Sequence, residues 1–301
     1  MVIVIFKKMI YVIILVTTLI CFGIVFAHHS NSNDKTIVIG SKSFSESRTV
    51  SEIYALALEH QGYKVIRKTN IANSVVYNVL KTGQIDLYPE YTGTIVETYL
   101  KKSGSGLDSK QMARLASNGV KKEGLATLQY APGINSQAIA VRSEIAKKYH
   151  LNNLSDLQKN ATHIRFVSQG EFDKRQDGLS GLNKKYGKFN FKSDEIFDDS
   201  LKYLILSENK GDAAPVYSTD GQLATGKYKV LDDEKKLWPP YNLVPLVNAK
   251  ALRSHPKIAT ALNQVDKKLT TKELMKLNKQ VDVEKKNYRM VAYNWYKTNM
   301  E

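Results

Sequence analysis

The sequence predicts an α/β protein. Short apolar strands alternate with amphipathic helices from Thr36 onward, and a second strand–helix series starts near Ile164-Arg165-Phe166-Val167. The composition, 43% hydrophobic and 24% charged, is that of an ordinary globular protein. A chain of 301 residues holds one large domain or two lobes of roughly 100–170 residues each.

Thr36-Ile37-Val38-Ile39-Gly40 reads as the first strand. Ser43-Phe44-Ser45-Glu46 fits a capping box, with Ser43 as N-cap and Glu46 three residues on. The helix that follows should run to Gln61. Val50, Ile53, Tyr54, Ala57 and Leu58 recur at helical spacing, and Gly62 stops it. A second strand is expected over Tyr63–Thr69, a helix over Val75–Lys81 halted by Gly83, and a third strand over Ile85–Tyr88. The alternation implies parallel pairing. A helix over Ser109–Lys122, a strand at Leu125–Gln129 and another at Ala138–Arg142 extend the pattern. The second series includes a helix over 199–207, closed by Gly211. Trp238-Pro239-Pro240-Tyr241 interrupts the periodicity, and Leu243–Val247 is a strand. From Pro256 the chain is helical, with Ile258, Ala261, Leu262 and Val265 on one face.

The N-terminus reads as a targeting segment. Lys7-Lys8 precedes an apolar run from Met9 to Ala27, and Val25-Phe26-Ala27 suits signal peptidase. The run also nearly spans a bilayer, so a retained anchor is the alternative. Cys21 offers a third route, lipid attachment. All three place residues 28–301 outside the cytoplasm. With one cysteine, neither a disulfide framework nor a four-thiolate zinc site is available. The formal charge is +15, and residues 250–301 alone carry 12 basic against 5 acidic side chains. Such a surface attracts anionic polymers, so an adhesion protein holding anionic wall polymer is an alternative reading. Secretion disfavours nucleic acid as a partner.

Enzyme motifs are absent from the sequence. Gly40-Ser41-Lys42-Ser43 lacks the upstream glycine of a phosphate loop and the glycine before its lysine. No GxSxG or HExxH occurs, and the six histidines are scattered. No enzyme, cofactor or metal is expected.

Five blocks carry a resemblance. They are Gly40-Ser41-Lys42-Ser43-Phe44-Ser45-Glu46, the run from Gly83 to Thr94 containing Leu87-Tyr88-Pro89-Glu90-Tyr91-Thr92-Gly93-Thr94, Arg175-Gln176-Asp177-Gly178-Leu179, Tyr217-Ser218-Thr219-Asp220-Gly221, and Pro239-Pro240-Tyr241. Together they resemble the substrate-binding proteins of osmoprotectant ABC transporters, from about Thr36 to Trp295. The resemblance implies a two-lobed periplasmic-binding-protein fold, type II-like, with two crossing strands as hinge. Lobe I would comprise 34–134 plus 243–301 and lobe II 135–242, with crossings near Ile134–Ala140 and Tyr241–Val247. It implies an extracytoplasmic monomer that captures glycine betaine, choline, carnitine or a related quaternary amine and delivers it to a permease.

A trimethylammonium group donates no hydrogen bond and carries diffuse charge, so aromatic faces suit it. By the resemblance, Tyr91, Tyr217 and Tyr241 are three walls of such a cage. Gln137 stands where the family usually offers a fourth tyrosine. It provides one acceptor and two donors instead, which favours a larger ligand with a polar group. Alternatively Gln137 merely lines the cleft, or Tyr130 fills the gap. Lys42, Thr94 and Arg175 match carboxylate-binding positions, where Arg supplies a bidentate contact and Lys a point charge. Ser74 and Asn135 complete the expected polar set. Ser43 and Ser47 replace amides more usual in the first loop.

Overall fold

The computed structural model describes residues 35–169, 172–198 and 201–301. The expected targeting segment and Cys21 lie outside the described residues. Among the described residues, no helix is long and apolar enough to cross a membrane.

The first sheet contains β1 (Thr36–Lys42), β2 (Lys64–Ile71), β3 (Leu87–Tyr91), β4 (Leu125–Thr127) and β10 (Leu243–Asn248), in the order β2-β1-β3-β10-β4. The second contains β5 (Gln137–Arg142), β6 (Arg165–Gln169), β7 (Ser193–Phe197), β8 (Ala213–Tyr217) and β9 (Tyr228–Val230), in the order β7-β6-β8-β5-β9. Each sheet is the centre of one lobe of a two-lobed periplasmic-binding-protein fold.

Parallel pairing holds only in part. β1 pairs parallel with β2 and β3, and β6 with β7 and β8. β10 runs antiparallel to β3 and β4, and β5 antiparallel to β8 and β9. The reason is the crossover between lobes. β1, β3 and β8 end at the junction, whereas β5 and β10 begin there and run away from it. Hence Gln137 at the start of β5 faces Tyr217 at the end of β8, and Leu243 at the start of β10 faces Tyr91 at the end of β3. The two crossing segments pair with each other: Ile134 bridges Asn242 antiparallel, and the Asn135 amide donates to the Tyr241 carbonyl at 2.9 Å.

Alternation along β1 divides the first lobe's interior. Ile37 and Ile39 join Ile53, Tyr54, Leu58, Leu262 and Trp295 on one face, under the Ser45–His60 and C-terminal helices. Val38 turns to the other face, with Leu80, Tyr88, Ile95 and Met112. This is the two-residue period of a strand covered on both sides. The second lobe's core gathers Ile139, Leu154, Phe166, Leu182 and Trp238. Gly62 and Gly83 close their helices at φ of +82° and +74°, which glycine adopts without penalty.

The first expected helix cap is corrected. The helix begins at Ser45, its N-cap is Phe44, and no side chain caps it. Two serines further in hold the preceding turn instead. Ser47 Oγ accepts from the Lys42 amide at 2.9 Å, and Ser51 Oγ donates to the Gly40 carbonyl at 3.0 Å. Glu46 cannot reach back to the backbone because its carboxylate is bound elsewhere.

Candidate functional site

Tyr91, Gln137 and Tyr217 lie where the strands of each lobe meet the crossing segments. Tyr91, the last residue of β3, is 5% exposed. Its hydroxyl donates to Glu46 Oε1 at 2.5 Å, and its ring stacks on Phe44 with centroids 6.4 Å apart. Burial, then the neighbouring Glu46 charge, pushes the Tyr91 phenol well above its ordinary range. Asn135, in the first crossing, donates Nδ2 to the same Glu46 oxygen at 3.0 Å.

Tyr241, in the second crossing, lies flat over Gly93. A Cβ there would sit 2.5 Å from ring carbons, so only glycine lets the ring settle at this height. The Tyr241 hydroxyl donates to Glu97 Oε2 at 2.6 Å. Thr94 follows Gly93 and starts a π-helical turn, Thr94–Tyr99, which carries Glu97. One short element therefore supplies both the floor beneath Tyr241 and the acceptor for its hydroxyl.

Tyr217 ends β8 and is 42% exposed. The Lys202 ammonium, itself buried, lies 5.7 Å from the Tyr217 ring centroid and 3.4 Å from Asp220 Oδ2. Gln137, half-buried, is Tyr217's partner across the strand pair, so the two side chains share one sheet face. Arg175 is ion-paired with Asp177. Its guanidinium pKa is raised by that hydrogen bond, against burial, with further contributions from Tyr217 and Tyr241.

Lys42 lies behind Tyr91, its ammonium 5.7 Å from that ring's centroid. Lys42 is buried, with Nζ 2.6 Å from Glu90 Oε1. Ser74 lies exposed in the turn before the Val76–Lys81 helix. Glu46 and Glu97 were not among the expected site residues. Glu46 stood in the capping pattern and closed the first resemblance block, neither of which marked it as a site residue, and Glu97 carried no signal.

Aromatic and charged side chains at the junction of two α/β lobes, joined by two paired crossing segments, define a substrate-binding protein of the periplasmic-binding-protein class. Comparison with known proteins narrows this. Residues 35–298 match the family model described as the substrate-binding domain of the ABC-type glycine betaine transport system. The chain belongs to that family. It is 30% identical over 272 residues to a carnitine transport binding protein of Listeria monocytogenes serotype 1/2a (strain 10403S), covering 89% of this chain and 88% of the relative. It is 30% identical over 274 residues to a glycine-betaine-binding protein of Pseudomonas aeruginosa, covering 86% of each. A crystal structure of a glycine betaine/carnitine/choline ABC transporter superposes with a TM-score of 0.81 at 32% identity, covering 87% of this chain and 98% of that one. These relatives are substrate-binding components of transporters, not enzymes.

Proposed function

We propose that this protein captures a quaternary amine between its lobes, outside the cytoplasm, and delivers it to the permease of an ABC importer. Lobe I comprises 34–134 plus 243–301, and lobe II comprises 135–242. Tyr91, Tyr217 and Tyr241 are the walls that take the cationic head, each contributing on the order of 0.5–2 kcal/mol through its ring face. Thr94 and Arg175 take the carboxylate of a betaine, with Asn135 and Ser74 as polar contacts. Lys42 contributes least, because Glu90 already takes its charge. The observation that carries this reading is geometric: Tyr91 at the end of β3, Tyr217 at the end of β8 and Tyr241 in the second crossing all lie where the two lobes are joined, beside Leu243, Gln137 and Asn135 of the crossing segments and the strands they enter. Aromatic faces from both lobes and the hinge suit a quaternary ammonium. Carnitine and glycine betaine in the names of the relatives support the ligand class.

Ligand binding to the folded state alone stabilises it by about 2.7 kcal/mol at 100 times the dissociation constant. A thermal-shift panel of glycine betaine, choline, carnitine, proline betaine and a histidine-derived betaine should therefore contain at least one clear stabiliser, confirmed by calorimetry. No shift with any quaternary amine would refute the proposal.

A further inference from the structure

Glu46 is a carboxylate with 4% of its surface exposed, in the first turn of the Ser45–His60 helix. Its neighbours donate to it. Oε1 accepts from the Tyr91 hydroxyl at 2.5 Å and from Asn135 Nδ2 at 3.0 Å. Oε2 accepts from Asn278 Nδ2 at 2.6 Å. An ionised carboxyl accepts only, so these donors match it. A buried carboxylate is tolerated when hydrogen-bonded in this way. Burial raises its pKa, and bonds from Tyr91, Thr219, Asn278 and Asn135 offset that rise only in part.

The arrangement is directed at Glu46 even at a loss elsewhere. Asn135 Oδ1 and Asn278 Oδ1 are buried with no hydrogen-bond partner. Both carboxamides turn their nitrogens to the carboxylate and leave their carbonyls unmet. Asn278 Nδ2 also donates to the Thr219 carbonyl at 2.8 Å, two residues after Tyr217. One buried group therefore holds the end of β3, the first crossing and, through Asn278, the loop after β8.

We infer that Glu46 is the positioning residue of the ligand site. It orients Tyr91 and Asn135 toward the ligand and ties the loop after Tyr217 to the first lobe. This rests on the reading of Tyr91 as a cage wall. The physical basis is twofold. The hydrogen bond fixes the ring, and an O–H polarised by a charged acceptor leaves more electron density on the ring face that meets a cation.

The test is a double-mutant cycle read as dissociation constants for carnitine and glycine betaine. Glu46→Gln keeps the shape and weakens the bond to Tyr91. It should weaken binding about fivefold, the difference between a charge-assisted and a neutral hydrogen bond. Tyr91→Phe should weaken binding comparably, and the double variant should be no worse than Tyr91→Phe alone. Glu46→Asp, which keeps the charge but withdraws the oxygen, should behave like Glu46→Gln in both backgrounds. A purely structural role would lower the melting temperature without this non-additivity. Additive losses, or an unchanged affinity in both Glu46 variants, would overturn the inference. Tyr91→Ala and Tyr241→Ala separate the two ideas. A loss in both beside additive Glu46 effects leaves the cage standing and removes Glu46 from it, whereas no loss in either overturns both.

Discussion

Lys42 and Glu90 meet at 2.6 Å inside the first lobe, with only 5% and 0% of their side chains exposed. Tyr88 and Tyr99 donate their hydroxyls to the second Glu90 oxygen at 3.0 and 2.8 Å. The lysine ammonium lies 5.7 Å from the Tyr91 ring centroid, so the pair backs a ring proposed as a cage wall. Removing one member of a buried pair strands the other charge. Lys42→Ala should therefore lower stability on the order of 3–5 kcal/mol in urea unfolding. Lys42→Met with Glu90→Gln should lose less than the sum of the single changes. Preference between carnitine and choline should move less than in an Arg175 variant. A loss below about 1 kcal/mol would show that water reaches the pair.

Tyr217→Ala and Tyr241→Ala should each weaken binding of a quaternary amine about tenfold or more, given that one wall contributes more than about 1.4 kcal/mol. Tyr217→Phe should stay near wild type because the ring remains. Tyr241→Phe also loses the Glu97 bond at 2.6 Å and should be the more affected of the two. Calorimetry that finds both Ala variants unchanged removes these residues from the cage.

Arg175→Ala should weaken betaines far more than choline. Only a carboxylate makes the charge-assisted contact, and choline carries a hydroxyl there. Side-by-side titrations with glycine betaine and choline decide the matter. Equal losses would mean that Arg175 acts through its pairing with Asp177.

Gln137 sits beside Tyr217 on the sheet face, and in the proposed site it adds an amide where a ring would close the cage. A site that hydrogen-bonds part of its ligand discriminates against analogues lacking the partner group. Carnitine or a histidine-derived betaine should then bind better than glycine betaine. Gln137→Tyr should shift preference back toward glycine betaine. If the wild type already prefers glycine betaine and the ratio is unmoved by the substitution, Gln137 is a bystander.

Asp266 gives a pH signature in stability. Its carboxyl is fully buried, and burial raises its pKa well above the ordinary value against a 2.5 Å bond from the Tyr54 hydroxyl. The folded protein thus holds this proton more tightly than the unfolded chain. The contribution is most favourable below the unfolded pKa of about 3.9 and is lost progressively as pH rises toward the folded value. Asp266→Asn should remove that dependence, so its stability relative to wild type should grow as pH rises from about 4 to about 7. Urea midpoints across the range measure this, and a constant difference would contradict the assignment.

Much of the fold was legible along the chain. The strand at Thr36, the helix closed by Gly62, the strand after it and the helical C-terminus stand where periodicity and glycines put them. Boundaries moved by a few residues where strands lengthen toward the junction, as β1 does to Lys42 and β3 to Tyr91. The antiparallel entries of β5 and β10 were not legible, because direction in a sheet depends on which lobe the chain has just left.

Motifs and periodicity are properties of near neighbours, so the family, the order of elements and the supply of tyrosines can be read along the chain. What the charged groups do depends on residues brought together from far apart. Glu46 abandons a local cap for Tyr91, 45 residues away, and for Asn278, 232 residues away. Lys42 turns to Glu90, 48 residues on. Buried charges choose whichever partners offset their desolvation, and those partners become neighbours only when the sheets and crossings have assembled.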